Sequence, residues 1–366
     1  MEKEIGSIFP LETLDLSTST KSSLNDFKSA LALPEDAVLL SLGRESFSIV
    51  ARNHPEVKRV LLPRYTCQTV CDPFVELGWK VDTYQIDLSL RINLSDIEKR
   101  YNKFKPSVVV FHPFYGTHFT QEEIDIIKRF KDHGAIVVID YTQSVYYSKH
   151  LEFADYIVGS LRKWFDCPDG GYVYSNCQNL SEYRNLLENV TFVVPQTDSM
   201  YLRGVYFKTG DQDLKNISIR LNKQAVANAE FNIFPHRLSI FGINRLLNSS
   251  VQDFGEIRLN NYKYLYHHIH QSDRIKFVYK ELNDVVSSPL YFPIYCEKRT
   301  DLQKRLARNK IYAPVLWPIP NYYKNIDNIS LYIYTHILVI PIDQRYNQDD
   351  MRKICDVINN FSENNQ

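Results

Sequence analysis

Lys163 stands in the stretch GSLRKWFDCPDGGYVYS, residues 159–175, where an apolar run ends and a single amine is set against Trp164. Such a lysine is either a solvated stem or a reactive group, because lysine is the side chain that combines reversibly with an aldehyde. A second polar pair, Asp140 and Gln143, follows the apolar run AIVVID. A carboxylate there can hold a proton on a ring nitrogen through a charge-assisted hydrogen bond. Its plainer reading is a turn residue. Ser160 closes the run DYIVGS, three residues before Lys163, and Gly43 ends VLLSLG, with Arg44 and Glu45 following it at the head of the helical SFSIVAR. A helix start with free amides suits a phosphate, and Ser160 adds a hydroxyl to the same group. The plainer reading of that segment is a helix cap.

These residues need elements to bring them together. From residue 36 to 176, seven short apolar runs alternate with amphipathic stretches such as LSDIEKRYNKF and QEEIDIIKRFKDHG. Runs that are apolar on both faces and separated by helices predict a mainly parallel seven-stranded sheet, covered on both sides. In such a sheet ligands bind beyond the carboxyl ends of the strands, which is where the acid, amide, hydroxyl, lysine and helix start fall. After residue 178 the pattern turns helical, over LSEYRNLLENV and over the long segment from Asp211 to Leu247. A second α/β stretch then runs through LYFPIYC, DLQKRLARNK, HILVIPI and the amphipathic QDDMRKICDVINNF. The reading is an N-terminal segment over 1–35, loop-like at its start, a large domain over 36–250 and a smaller α/β domain over 251–366.

Bulk properties narrow the partners. Lys plus Arg and Asp plus Glu are each 43, so nothing in the net charge points to nucleic acid or a membrane surface. No apolar run approaches the ~20 residues of a membrane span, and the opening residues lack a secretory pattern, so a cytoplasmic protein is expected. Six cysteines in 366 residues are not a disulfide framework, and Cys67 and Cys71 lack a second pair at metal-ligand spacing. The histidines of HHIH (His267, His268, His270) do not share one helix face, so no metal site is expected.

A phosphate site, a partner for a ring nitrogen and an aldehyde-reactive amine together describe pyridoxal 5'-phosphate, whose protonated ring is an electron sink. The segments LGRES, VLLPRYTC, VVVFHPFYG, VVIDYTQS, GSLRKW, DGGYVYS and VIPIDQRY, spread over residues 38–346, resemble the DegT/DnrJ/EryC1/StrS aminotransferases. These are fold-type I pyridoxal-phosphate enzymes that make amino sugars. The resemblance implies that Lys163 bonds the cofactor and moves protons, that Asp140 pairs with the pyridine nitrogen, and that Gln143 lies near the ring hydroxyl. It implies phosphate binding at Gly43, Arg44, Glu45 and Ser160, and cofactor stacking by Cys67 or Tyr65. His112 and Tyr115 are expected to face the substrate. Arg345 binds a substrate carboxylate or phosphate, or is a salt-bridged loop arginine.

Two departures separate this chain from the family pattern. Ser160 precedes Lys163 by three residues rather than five, and DGG replaces the usual acidic-glycine run. The short spacing is similar to the SxHK of cysteine-desulfurase-like relatives, with Arg162 at the histidine position. The implied reaction moves an amino group from glutamate to a keto-sugar nucleotide, in a homodimer, for a surface polysaccharide or antibiotic sugar. Two alternatives stay open: a lyase, desulfurase or epimerase acting on an amino acid, and a catalytically silent relative of the fold.

Overall fold

The computed structural model describes residues 3–14, 23–144, 152–230, 233–249, 254–323 and 325–363. Near the start lies a short strand, β1 (Ile5–Gly6), where the sequence reads as loop. Seven strands then build the main sheet: β2 (Val38–Leu40), β3 (Arg59–Pro63), β4 (Lys80–Tyr84), β5 (Val108–Phe111), β6 (Ile136–Asp140), β7 (Tyr156–Ser160) and β8 (Gly171–Ser175). Their order across the sheet is β2-β8-β7-β6-β5-β3-β4. Pairs among β3 to β7 are parallel, while β8 runs antiparallel to both β7 and β2.

The apolar runs explain this sheet. Along β3, Leu61 faces one core and Val60 and Leu62 the other; along β5, Val109 and Phe111 oppose Val108 and Val110. Side chains alternate with period two, so a strand buried on both faces must be apolar throughout. One face is closed by Phe47, Ile49 and Val50 of the helix Gly43–Asn53 and Phe74 of the helix Gln68–Glu76. The other is closed by Ile97 of the helix Leu94–Phe104 and Ile126, Ile127 and Phe130 of the helix Gln121–Asp132. Each such buried aliphatic or aromatic side chain contributes about 1.5–3 kcal/mol. The helix Gln121–Asp132 begins with a Thr120–Glu123 capping box and is followed by Gly134 at φ 86°.

Two helical expectations are corrected. Within residues 180–190 the structure has one short 3-10 turn, Ser181–Asn185, after which the chain extends. Asn189 ends that stretch by capping the next helix, Val190–Thr209, through the amide of Phe192. The segment 211–247 is two helices, Gln212–Glu230 and Ile240–Asn248. Pro235 lies in the break, and a proline turns the residue before it away from helical geometry. The second helix restarts where Ser239 caps Gly242, with both the amide and the hydroxyl of Ser239 donating to buried Asp169.

The C-terminal part forms a second, antiparallel sheet from β9 (Ile275–Phe277), β10 (Phe292–Cys296) and, after the short β11 (Ile311–Tyr312), β12 (Ile337–Ile340), in the order β12-β10-β9. Helices Phe254–His268, Arg299–Arg308 and Gln348–Glu363 accompany it. β1 pairs in parallel with β11, so residues 5–6 belong to the C-terminal part in space. The 250/251 boundary expected from the sequence lies outside the described residues. Among the described residues no helix is long and apolar enough to cross a membrane, and no cluster of metal-ligand residues occurs. His267, His268 and His270 are exposed.

Candidate active site

β6 and β7 are neighbours in register, Asp140 opposite Val158, so the chain after each strand emerges on the same rim. Lys163 sits in the turn after β7, half-buried. Trp164, fully buried, fixes that turn by donating its indole N–H to the carbonyl of Thr142, 2.9 Å away in the loop after β6. Gln344 adds a bond from its amide to the Trp164 carbonyl at 2.7 Å. The lysine loop and the aspartate loop are thereby locked together. Burial pushes the Lys163 amine below its ordinary value of 10.5; Cys67 and Asp140 oppose the shift, and Arg162 and Arg44 reinforce it.

Asp140 is buried, with its Oδ1 accepting from the Thr142 amide at 2.9 Å and its Oδ2 3.2 Å from His112 Nδ1. Burial alone would raise its carboxyl. His112 and the bond from Thr142 outweigh that and hold it below the usual carboxylate range. A permanent carboxylate therefore stands close enough to Lys163 to influence its charge.

The helix Gly43–Asn53 starts beside the end of β7. A Cβ on Gly43 would lie 3.1 Å from Ser160 Cβ and 3.2 Å from the Gly159 carbonyl, so glycine is what lets the first amides of the helix approach Ser160 so closely. The side chain of Glu45 is committed elsewhere: Oε2 accepts from the Leu42 amide at 3.1 Å, and Oε1 is 3.1 Å from His236 Nδ1. Arg44 donates to the carbonyls of Ala229 and Glu230, at the end of the helix Gln212–Glu230. What these two positions offer a ligand is the backbone of the first turn, whose amides lack partners inside the helix.

The structure separates the two stacking candidates. Cys67, half-buried at the head of the helix Gln68–Glu76, lies within electrostatic reach of Lys163 and Arg44. Tyr65 is fully buried in an aromatic cluster, with its ring centre 4.7 Å from Trp317, 5.0 Å from Tyr334 and 5.7 Å from Phe114. Its hydroxyl is 3.5 Å from that of Tyr115, itself fully buried, whose amide donates to Gln143 Oε1 at 3.3 Å. His112 packs edge-on against Phe114 and Trp317 while touching Asp140. Tyr65, Tyr115 and His112 thus stand behind the Asp140–Gln143 loop as its support.

A cavity of about 640 Å³ opens in front of Lys163. It is bounded by Gly6 to Phe9, by Gln196 and Met200 of the helix Val190–Thr209, and by residues of the C-terminal part. Arg162, Lys163, Arg258, Lys304 and Arg345 line it, against the single acid Asp343. Arg345 is saturated: Nε and Nη2 donate to the two oxygens of Asp343 at 2.6 and 2.8 Å, and the same guanidinium reaches the carbonyls of Ser7 and Ile8. It also lies over the ring of Phe9 at 4.1 Å. Of the two readings of Arg345, the geometry is that of the salt-bridged loop arginine.

Sequence reasoning did not assign Asp343 and residues 6–9 to the cavity wall, Trp317 to the cluster of Tyr65 and His112, or to Arg162 a side chain without a hydrogen bond or ion pair among the described residues. No local pattern marks Trp317 in PVLWPIP. Asp343, two residues before Arg345, was the one legible signal.

No family model matches the sequence, and no curated protein is detectably similar to it. Solved structures are similar in three dimensions. The sugar aminotransferase CalS13 from Micromonospora echinospora superposes with a TM-score of 0.66 at 14% identity, covering 97% of this chain and 99% of that one. PseC of Helicobacter pylori, an aminotransferase involved in the biosynthesis of pseudoaminic acid, gives 0.66 at 14% identity over 99% and 100%. A DegT DnrJ EryC1 StrS aminotransferase from Brucella abortus gives 0.65 at 16% identity over 94% and 92%. These superpositions, over nearly the whole of each chain, show that this chain shares the fold of these aminotransferases.

Proposed function

We propose that the protein is a pyridoxal-phosphate-dependent aminotransferase that moves an amino group from glutamate to a keto-sugar nucleotide. The observation that carries this reading is the pairing, on adjacent strand ends, of a half-buried amine with a lowered proton affinity and a buried carboxylate that stays ionised. The residues present fit the cofactor. Gly43 opens the cradle between the helix start and Ser160 for a phosphate, Asp140 is a buried carboxylate that would pair with the pyridine nitrogen, and Gln143 lies in the same loop. Cys67 is the residue on hand to pack against the ring, in preference to the buried Tyr65. When bound, pyridoxal phosphate supplies an aldehyde that takes up amines and a ring that draws electrons from the neighbouring carbon.

This chain's residues do the rest. Asp140 would keep a proton on the ring nitrogen, because a carboxylate held below its usual range favours a cationic partner. Lys163 first anchors the cofactor. Once displaced by the donor, its amine, whose proton affinity burial lowers, would take the proton from the donor's α-carbon. The same amine would return that proton to the carbon derived from the cofactor's aldehyde, on the far side of the nitrogen, and water would then release the keto acid. The walls formed by residues 6–9 and 311–314 restrict water.

The acceptor class rests on the neighbours, among them a DesI structure determined in the presence of its TDP-sugar product, and on the excess of cations around the cavity. We further read the chain as a large domain over 36–250 and a small one over 251–366, in a cytoplasmic homodimer that serves polysaccharide or antibiotic sugar synthesis. Exposed Leu187, Val190 and Ile240 gather where Glu188 bridges Arg237, and such an apolar patch supports burial against a second copy. Sedimentation of the purified protein decides that point.

The decisive experiment is a visible absorbance spectrum before and after borohydride, with peptide mapping. A yellow band lost on reduction, with the added mass on Lys163, is expected. Challenge with glutamate, cysteine and serine then separates transamination from lyase, desulfurase or epimerase chemistry. A protein that stays colourless with added cofactor would leave only the fold.

A further inference from the structure

The arginines on the cavity wall differ in one respect. Arg345 is saturated by Asp343 and backbone carbonyls, and Arg258 donates to Gln344 Oε1 at 2.9 Å and to the Leu290 carbonyl at 3.0 Å. Arg162 has neither a hydrogen bond from its side chain nor an ion pair among the described residues; it rests on the Phe192 ring at 5.6 Å. It is half-buried, and burial together with Arg44 disfavours its charge. A half-buried guanidinium with no acceptor is costly unless a ligand supplies one.

We propose that Arg162 is the receptor for the α-carboxylate of the amino donor. This rests on the aminotransferase reading and adds to it the residue that selects the donor. The argument is one of reach. The donor's nitrogen must arrive where the Lys163 amine stands, and its α-carboxylate lies two bonds from that nitrogen. Arg162 and Lys163 are consecutive residues that line the same cavity. A planar guanidinium pairs with a carboxylate through two parallel hydrogen bonds, which fixes the orientation of the α-carbon. The cofactor's phosphate has its own place at the Gly43 helix start and Ser160.

The test uses the full chain with cofactor, comparing Arg162→Gln and Arg162→Lys with the unaltered protein. Stopped-flow absorbance follows cofactor conversion by L-glutamate and by 4-aminobutyrate, which is glutamate without its α-carboxylate. Arg162→Gln is expected to raise the glutamate concentration for half-maximal conversion by about 10- to 100-fold, the size of a lost charge-assisted pair. The preference for glutamate over 4-aminobutyrate collapses by the same factor, the cofactor's absorbance is retained, and Arg162→Lys recovers part of the loss. An unchanged preference overturns the proposal. So does loss of cofactor, which would assign Arg162 to the phosphate, or an effect confined to the sugar acceptor. If glutamate fails to convert even the unaltered protein, the aminotransferase reading falls, and calorimetry with glutarate still decides: weaker binding to Arg162→Gln sustains a carboxylate receptor, and equal binding ends it.

Discussion

Arg345 and Arg162 look into one cavity and do opposite things. The C-terminal wall, with Arg345 clamped by Asp343 and two carbonyls from residues 7 and 8, is a finished electrostatic unit. Asp343 and its hydrogen bonds keep the Arg345 guanidinium charged in spite of burial, raising its proton affinity, while on the opposite wall burial and neighbouring cations lower those of Arg162 and Lys163. One side holds the molecule together, and the other is left incomplete. Incomplete charge inside a protein marks a place for a ligand more reliably than the residue type does.

Substitutions sharpen this contrast in order of effect. On the proposed reading Lys163→Ala removes both anchor and base, and turnover in a coupled amino-transfer assay is expected to fall by roughly 10^3-fold or more. Asp140→Asn keeps the shape and removes the charge; conversion by glutamate, followed by absorbance, is expected to slow by roughly 10^2-fold. On the structural side, Arg345→Gln leaves Asp343 buried without its partner and is expected to cost about 3 kcal/mol in urea unfolding. Arg162→Gln leaves no anion behind, so its unfolding midpoint stays level or rises. Equal destabilisation by the two would erase the contrast.

The smallest effect concerns pH. On the proposed reading, uptake of pyridoxal phosphate needs the free Lys163 amine, so its rate is expected to rise with pH through the lowered lysine value and to be half-maximal below the ordinary 10.5. Arg162 is one of the charges that lower it. Removing that charge in Arg162→Gln is therefore expected to move the uptake profile to higher pH. A shift to lower pH would contradict the electrostatics described here.

The sheet was legible because a strand covered on both faces needs an unbroken apolar run, and AIVVID or PSVVVFHP has few other uses. Helix ends were harder. LSEYRNLLENV carries the apolar spacing of a helix, yet its Asn189 caps the helix that follows, and a cap cannot be told from an interior residue by spacing alone. Asp140, Gln143, Ser160 and Lys163 could be picked out because strand ends of a parallel sheet converge. Which of Tyr65 and Cys67 is sealed in the core, and whether Arg345 or Arg162 is spoken for, depends on contacts between residues hundreds of positions apart, such as Ile8 with Arg345. No window of sequence contains both partners.

The pairing of β1 with β11 has a consequence for how the protein is made. Ile5 and Gly6 find their partners only at Ile311 and Tyr312, and a Cβ on Gly6 would meet the Tyr312 carbonyl at 2.3 Å, so no larger residue is accommodated there. On the ribosome, residues 6–9 must wait through some three hundred further residues before the cavity gains that wall. A nascent chain stopped short of residue 311 has its lysine and aspartate rim but an open pocket. Closure of the cavity is therefore coupled to near-completion of synthesis.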